Sequence, residues 1–145
     1  MIKIICVGKI KEKFYRDAIL EYQKRLSKFS KLEIIEVKDN SLITKERDFI
    51  LKYINESDYI ITLEIEGKSI NSVELSNLID KTLMVNPNIT FIIGGSDGLH
   101  DDIKKLSNYK LSFSNLTFPH QLFRVILLEQ IYRSFKILNN ESYHK

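Results

Sequence analysis

Apolar and polar positions along the chain alternate between two rhythms. Five short runs rich in β-branched residues, Ile2–Val7, Leu32–Val37, Tyr59–Glu64, Asn88–Ile93 and Lys110–Phe113, predict strands. Between them apolar residues recur every three or four positions. Tyr15–Phe29 places Ala18, Ile19, Tyr22, Leu26 and Phe29 on one stripe with Lys and Arg opposite, the pattern of an amphipathic helix. Thr44–Asn55 and Ser72–Met84 follow the same period, Leu99–Leu106 predicts a shorter helix, and Leu122–Leu138 the longest. Asn71 followed by Glu74 has the form of a capping box and marks a helix start. Both prolines, Pro87 and Pro119, fall at element boundaries.

Strands alternating with helices predict an α/β fold, a mostly parallel sheet with helices on both faces, in a single domain spanning residues 1–145. In such sheets ligands bind beyond the carboxyl ends of the strands. Three ends carry informative residues: Leu63 to Gly67, Gly94 to Gly98, and Phe113 to Pro119. The run Leu122–Leu138 is apolar nearly all round, so it needs cover on more than one side. A homodimer interface provides that, and so does burial at the centre of one subunit.

Composition narrows the class. No apolar run reaches membrane-span length, and the apolar start Met1–Val7 is too short for a signal peptide. The lone cysteine, Cys6, lies inside a predicted strand and reads as a buried structural thiol. These features predict a cytosolic protein. The net charge of +3 is unevenly spread: residues 1–31 carry nine Lys or Arg against Glu12, Asp17 and Glu21, 9 − 3 = +6. That basic N-terminal segment suits a phosphate backbone, or is simply the solvated face of a helix.

Three segments could carry chemistry. In Thr90–Gly98 a buried strand runs into glycines and then a helix, which allows close backbone approach to a ligand. It is neither a P-loop nor Gly-x-Gly-x-x-Gly. It does match Gly-x-Ser-x-Gly through Gly94, Ser96 and Gly98, the form of a hydrolase nucleophile elbow, but the acid and histidine that should follow on later strand ends are poorly placed. The second segment, Leu111–His120, is a strand end and loop with backbone groups free to read a flat purine edge, or an ordinary capped connection. The third is the tail Glu141–Lys145, where His144 supplies an imidazole, the side-chain type suited to proton transfer near neutral pH. His100, His120 and His144 lack metal-ligand spacing, and no metal is expected.

Taken together, Phe91–His100, Leu111–Gln121 and the terminal Ser142–Lys145, with the opening Val7–Lys13 and the Ile61–Lys68 run, resemble the ribosomal RNA large subunit methyltransferase H family. The resemblance runs through the whole chain in order, which looks shortened between about Val37 and Tyr59. It implies the SPOUT class: a homodimer with a deep C-terminal trefoil knot that methylates N3 of a pseudouridine in 23S ribosomal RNA of the ribosome, using S-adenosylmethionine. It implies donor contacts at Leu63, Gly94, Phe113, Ser114, Asn115, Leu116, Thr117 and Phe118. The N3 proton must leave, and His144 is the candidate base or relay, with Tyr143 beside it. Arg133 could stabilise the deprotonated base or hold a phosphate, or could form an i,i+4 ion pair with Glu129. Lys9, Lys11, Lys13 and Arg16 are candidate phosphate contacts. Competing readings are a non-catalytic RNA-binding module, a small serine hydrolase using Ser96, and a nucleotide-binding regulatory domain.

Overall fold

A computed structural model describes residues 1–145. Its elements, in chain order, are β1 (Ile2–Val7), α1 (Lys13–Leu26), β2 (Leu32–Val37), α2 (Ile43–Leu51), β3 (Asp58–Ser69), α3 (Ser72–Val85), β4 (Asn88–Ile93), α4 (Asp101–Leu106), β5 (Tyr109–Ser112) and α5 (His120–Leu138). The five strands form one sheet in the order β2-β1-β4-β3-β5, with every pairing parallel. β1 is buried along its whole length and β4 nearly so, as expected of central parallel strands with predominantly apolar sequences.

Side chains alternate across the sheet and build two cores. Ile2, Ile4, Phe91, Ile93, Ile61 and Leu111 pack with residues of α1, α3 and α5 on one face. Ile5, Val7, Ile60 and Ile92 pack with residues of α2 and α4 on the other. Helix α5 lies between α1 and α3. Its Leu127, Leu128, Ile131 and Phe135 are buried, while Leu122, Val125, Ile126 and Tyr132 stay half-buried. One subunit thus covers part of the apolar surface of α5 and leaves the rest partly open. No helix is long and apolar enough to cross a membrane.

The capping box at α3 is present as expected: Asn71 accepts from the Glu74 N–H, and Glu74 accepts from the Asn71 N–H. Strand β3 departs from expectation by running five residues past Glu64 to Ser69. It does so through a bulge. Leu63 and Lys68 both pair with Leu111 of β5, so residues 64–67 loop out of the ladder. Gly67 closes this excursion where a Cβ would stand 2.8 Å from the Lys110 carbonyl carbon and oxygen.

Two charged groups are buried where they tie the sheet together. Lys3 of β1 is 3% exposed, and its Nζ lies 2.8 Å from Asp58 Oδ2 and donates to the Tyr53 carbonyl at 2.6 Å. Burial pushes the Asp58 carboxyl up, but hydrogen bonds from Lys3, the Asn55 N–H and Asn88 and the Lys3 charge outweigh it, and the group ends below its ordinary range. A depressed folded value means that the stabilisation is present above the unfolded value of about 3.9 and is lost as pH falls through the folded one. Lys3→Met should lower unfolding free energy by about 3–5 kcal/mol at neutral pH, because Asp58 is left buried without its cation. The deficit should shrink as pH falls from neutrality towards about 3, because Asp58 without its cation protonates more readily. Urea titrations of both proteins across that range measure this, and a pH-independent loss under about 1 kcal/mol would count against it.

The second buried charge, Arg124 of α5, is 4% exposed. Its Nη2 donates to the carbonyls of Val7 and Gly8 at 2.7 Å each, and its Nη1 meets Glu36 Oε2 at 2.9 Å. Gly8 has φ +89°, which turns its carbonyl into this clasp.

Candidate active site

The three strand ends singled out from the sequence converge on one cavity of about 430 Å³. Leu63 and the bulge of β3 form one wall, Gly94 to Leu99 after β4 the floor, and Ser112 to Phe118 after β5 the other wall. Leu63, Gly94, Phe113, Ser114, Leu116, Thr117 and Phe118 all line it. Asn115 does not: it is exposed at the tip of the turn, where the Ser114 hydroxyl accepts from the Leu116 N–H at 3.0 Å. On the β5 side the wall is aromatic, with Phe123 of α5 packing edge-on against Phe113 at 5.1 Å and stacking with Phe118 at 6.3 Å.

The glycine loop is built for its own closure. A Cβ at Gly94 would stand 2.7 Å from the carbonyl carbon and oxygen of Gly98, and the Gly98 N–H donates to the Gly95 carbonyl at 3.0 Å. Gly94 is therefore needed first to let the loop fold back on itself, a different reason from the close ligand approach that the sequence suggests. Ser96 sits in this loop, yet no hydrogen bond joins it to a histidine. His100 Nδ1 instead accepts from the Asp102 N–H to cap α4, so the nucleophile-elbow reading has no triad.

Arg133, Tyr143 and His144 are brought together, but away from this cavity. Glu129 Oε1 accepts from Arg133 Nη2 at 2.6 Å, from Arg133 Nε at 2.9 Å and from the Tyr143 hydroxyl at 3.2 Å. The Arg133 guanidinium lies 4.8 Å from the Tyr143 ring centre, and its Nη1 is 3.1 Å from His144 Nδ1. Of the two sequence readings of Arg133, the i,i+4 ion pair with Glu129 is present, and the side chain also reaches the tail. A guanidinium has no acceptor, so His144 Nδ1 accepts and its ring proton is assigned to Nε2. A base role at Nδ1 requires Arg133 to let go of it. Burial, with the Glu129 charge second, pushes the Tyr143 phenol up to about 12, which keeps it protonated at neutral pH. None of the three lines the cavity. His120 and Phe123 of the same helix do line it, and Phe123 precedes Arg133 by ten residues, about 15 Å at 1.5 Å per residue.

A family model described as "Predicted SPOUT methyltransferase" matches residues 1–144. A Clostridium botulinum (strain Kyoto) protein named "Ribosomal RNA large subunit methyltransferase H" is 53% identical, covering 99% of both chains. This chain belongs to the ribosomal RNA large subunit methyltransferase H family of SPOUT methyltransferases. A Methanococcus maripaludis (strain C5) relative that bears the same name provisionally is also 53% identical, over the same shares. That alignment spans 157 positions against 145 residues here, so this methyltransferase is shorter than that relative. Only the nine-residue α2 stands between β2 and β3. Among solved structures, a probable methylase family protein from Haemophilus influenzae Rd KW20 aligns with a TM-score of 0.57 at 13% identity, covering 99% of this chain and 70% of its own. The tRNA (m1G37) methyltransferase of Aquifex aeolicus aligns with a TM-score of 0.53 at 15% identity, covering 91% and 69%. These likenesses show a shared SPOUT fold.

Sequence reading missed three members of this SPOUT methyltransferase's site region. Glu64 and Lys104 line the cavity, and Arg124 clasps the end of β1. For Arg124 the signal was available: one charged residue interrupts an otherwise apolar run, where only a paired charge is tolerated.

Proposed function

We propose that this methyltransferase uses S-adenosylmethionine to methylate N3 of a pseudouridine in 23S ribosomal RNA, in the cytoplasm and as a homodimer. The observation that carries the reading is the cavity itself, seen in a chain 53% identical over its full length to a ribosomal RNA large subunit methyltransferase H. The residues present fit the donor. Its volume is in the range of small-molecule sites. The aromatic wall suits a flat base, and the turn after β5 offers backbone groups to its edge. When bound, S-adenosylmethionine supplies an electrophilic methyl group, so the chain's task is mainly to position both reactants and manage the N3 proton.

Arg133 and His144 supply a cation and a ring nitrogen beside each other for that proton and the charge it leaves. Arg133 lies ten residues, about 15 Å along α5, from the cavity-lining Phe123, which supports a site completed across a dimer by the partner's tail. The half-buried face of α5, and Phe14 and Leu20 of α1 at 64% and 63% exposed, offer apolar surface for that partner. Lys9, Lys11, Lys13 and Arg16 are exposed beyond the end of β1, on the side of the sheet end that holds the cavity, and suit phosphate contacts. The deep trefoil knot belongs to this reading too. It is supported by the return of the chain from edge strand β5 to α5, whose Arg124 clasps β1.

Mass spectrometry of 23S ribosomal RNA from cells with and without the gene is the test. The expected result is one N3-methylpseudouridine lost in its absence and restored by the wild-type gene. An unchanged modification profile would overturn the reading.

A further inference from the structure

Of the ionisable groups around the cavity, Glu64 is the one the fold has taken most trouble to place. Its side chain is only 4% exposed although the residue lines the cavity. Oε2 accepts from the Thr62 hydroxyl at 2.6 Å, and Thr62, itself fully buried, is 2.7 Å from the Ser107 hydroxyl. Oε1 accepts no hydrogen bond from the protein. Its nearest partner is Lys104 Nζ at 3.7 Å, and that amine is shared with Glu66 at 3.4 Å. A carboxylate offers about four acceptor positions, and one is filled here. A nearly buried carboxylate with spare acceptors and an open cavity beside it is a receptor for hydrogen-bond donors.

We propose that Glu64 accepts the ribose hydroxyls of the nucleoside bound in this cavity, with Thr62, Ser107 and Lys104 as positioning residues. This rests on the cavity being the donor site. The chemistry favours the ribose over the other parts of the donor. Lys104 offsets the charge of Glu64, which makes Glu64 a weak counter-ion for a sulfonium or ammonium but leaves its acceptors available. A carboxylate at a strand's carboxyl end is the arrangement by which α/β nucleotide sites hold a ribose. The aromatic side chains for a base stand on the opposite wall, at Phe113, Phe118 and Phe123. The bulge that displaces residues 64–67 from the ladder, closed by Gly67, brings Glu64 to the cavity.

Calorimetry with the full chain tests this. The ligands are S-adenosylmethionine, S-adenosylhomocysteine, and 5′-methylthioadenosine with its 2′- and 3′-deoxy analogues. Glu64→Ala should weaken the first three ligands by a similar factor, about tenfold or more, the scale of hydrogen bonds to a charged group. Removing a ribose hydroxyl from 5′-methylthioadenosine should cost wild type about as much and cost Glu64→Ala much less, since the partner is already gone. Glu64→Gln, nearly the same shape, should fall between, with a melting temperature like that of wild type. Equal sensitivity of wild type and Glu64→Ala to the lost hydroxyls would overturn the proposal. So would a Glu64→Gln loss confined to S-adenosylmethionine, which would make Glu64 a counter-ion to the sulfonium. Failure of wild type to bind S-adenosylmethionine at all would overturn the donor-site reading, and the role of Glu64 with it.

Discussion

Removal of Tyr143, His144 and Lys145 should lower the methyl-transfer rate by about 10²–10⁴-fold, the range attributed to a positioned proton-transfer group. Donor affinity should stay within roughly a factor of two, because no tail residue lines the cavity. Single-turnover methylation and calorimetry on the truncated chain give the two numbers. A fall in donor affinity as large as the fall in rate would place the tail in the donor pocket instead. The contacts sharpen the expectation further. Arg133 would keep its bond to Glu129 but lose both Tyr143 and His144, so the shortened helix end should remain folded. If the tail works across the dimer, mixing truncated chains with chains whose donor loop is broken should restore activity. Each such heterodimer has one intact loop facing one intact tail.

Breaking the loop is the second large effect. Gly94→Ala should weaken S-adenosylmethionine binding by about ten- to a hundredfold, the equivalent of the roughly 1–3 kcal/mol that overpacking costs. The new methyl group would meet backbone, the Gly98 carbonyl at 2.7 Å, and backbone cannot rotate away. Neighbouring glycines provide the controls. At Gly95 a Cβ would meet chiefly the Val7 side chain at 3.1 Å, which can shift. At Gly98 it would meet nothing within 4 Å and would carry only the strain of φ +76°. Both alanine variants should bind the donor better than Gly94→Ala. Calorimetry on the three decides it, and similar losses at all three positions would show that the loop's flexibility matters more than its closure.

The sheet was largely legible from residue pattern. Ile2–Val7, Leu32–Val37 and Asn88–Ile93 form strands at their expected bounds, because short runs rich in β-branched residues favour extended chain. What escaped was geometry that pattern does not encode. The continuation of β3 through Glu64–Gly67 looks polar and strand-ending, since a bulge is specified by the partner strand and not by local alternation. Glu64 and Lys3 look like surface residues, and only their partners from distant segments make their burial tolerable. The meeting of Leu63 with Gly94 and Phe113 was legible from strand ends. The exclusion of Asn115 was not, because it depends on the Ser114 side chain tightening the turn. His144 looks like part of a frayed end, yet Tyr143 packs edge-on against Tyr132 at 5.0 Å and fixes the tail to α5.

The clasp of Arg124 on Val7 and Gly8 also dictates an order of events at biosynthesis. The first strand to leave the ribosome is the one whose carboxyl end is completed last, by a guanidinium made 116 and 117 residues later. At about 5–20 residues per second, that interval lasts roughly six to twenty seconds. Until Asn88–Ile93 is made the run Ile2–Val7 lacks its neighbour β4, and for the whole interval it lacks α5. A nascent chain of this topology is therefore a natural client for holding chaperones, and slowed translation just before Asn88 should cost more soluble protein than the same delay placed after Ile93.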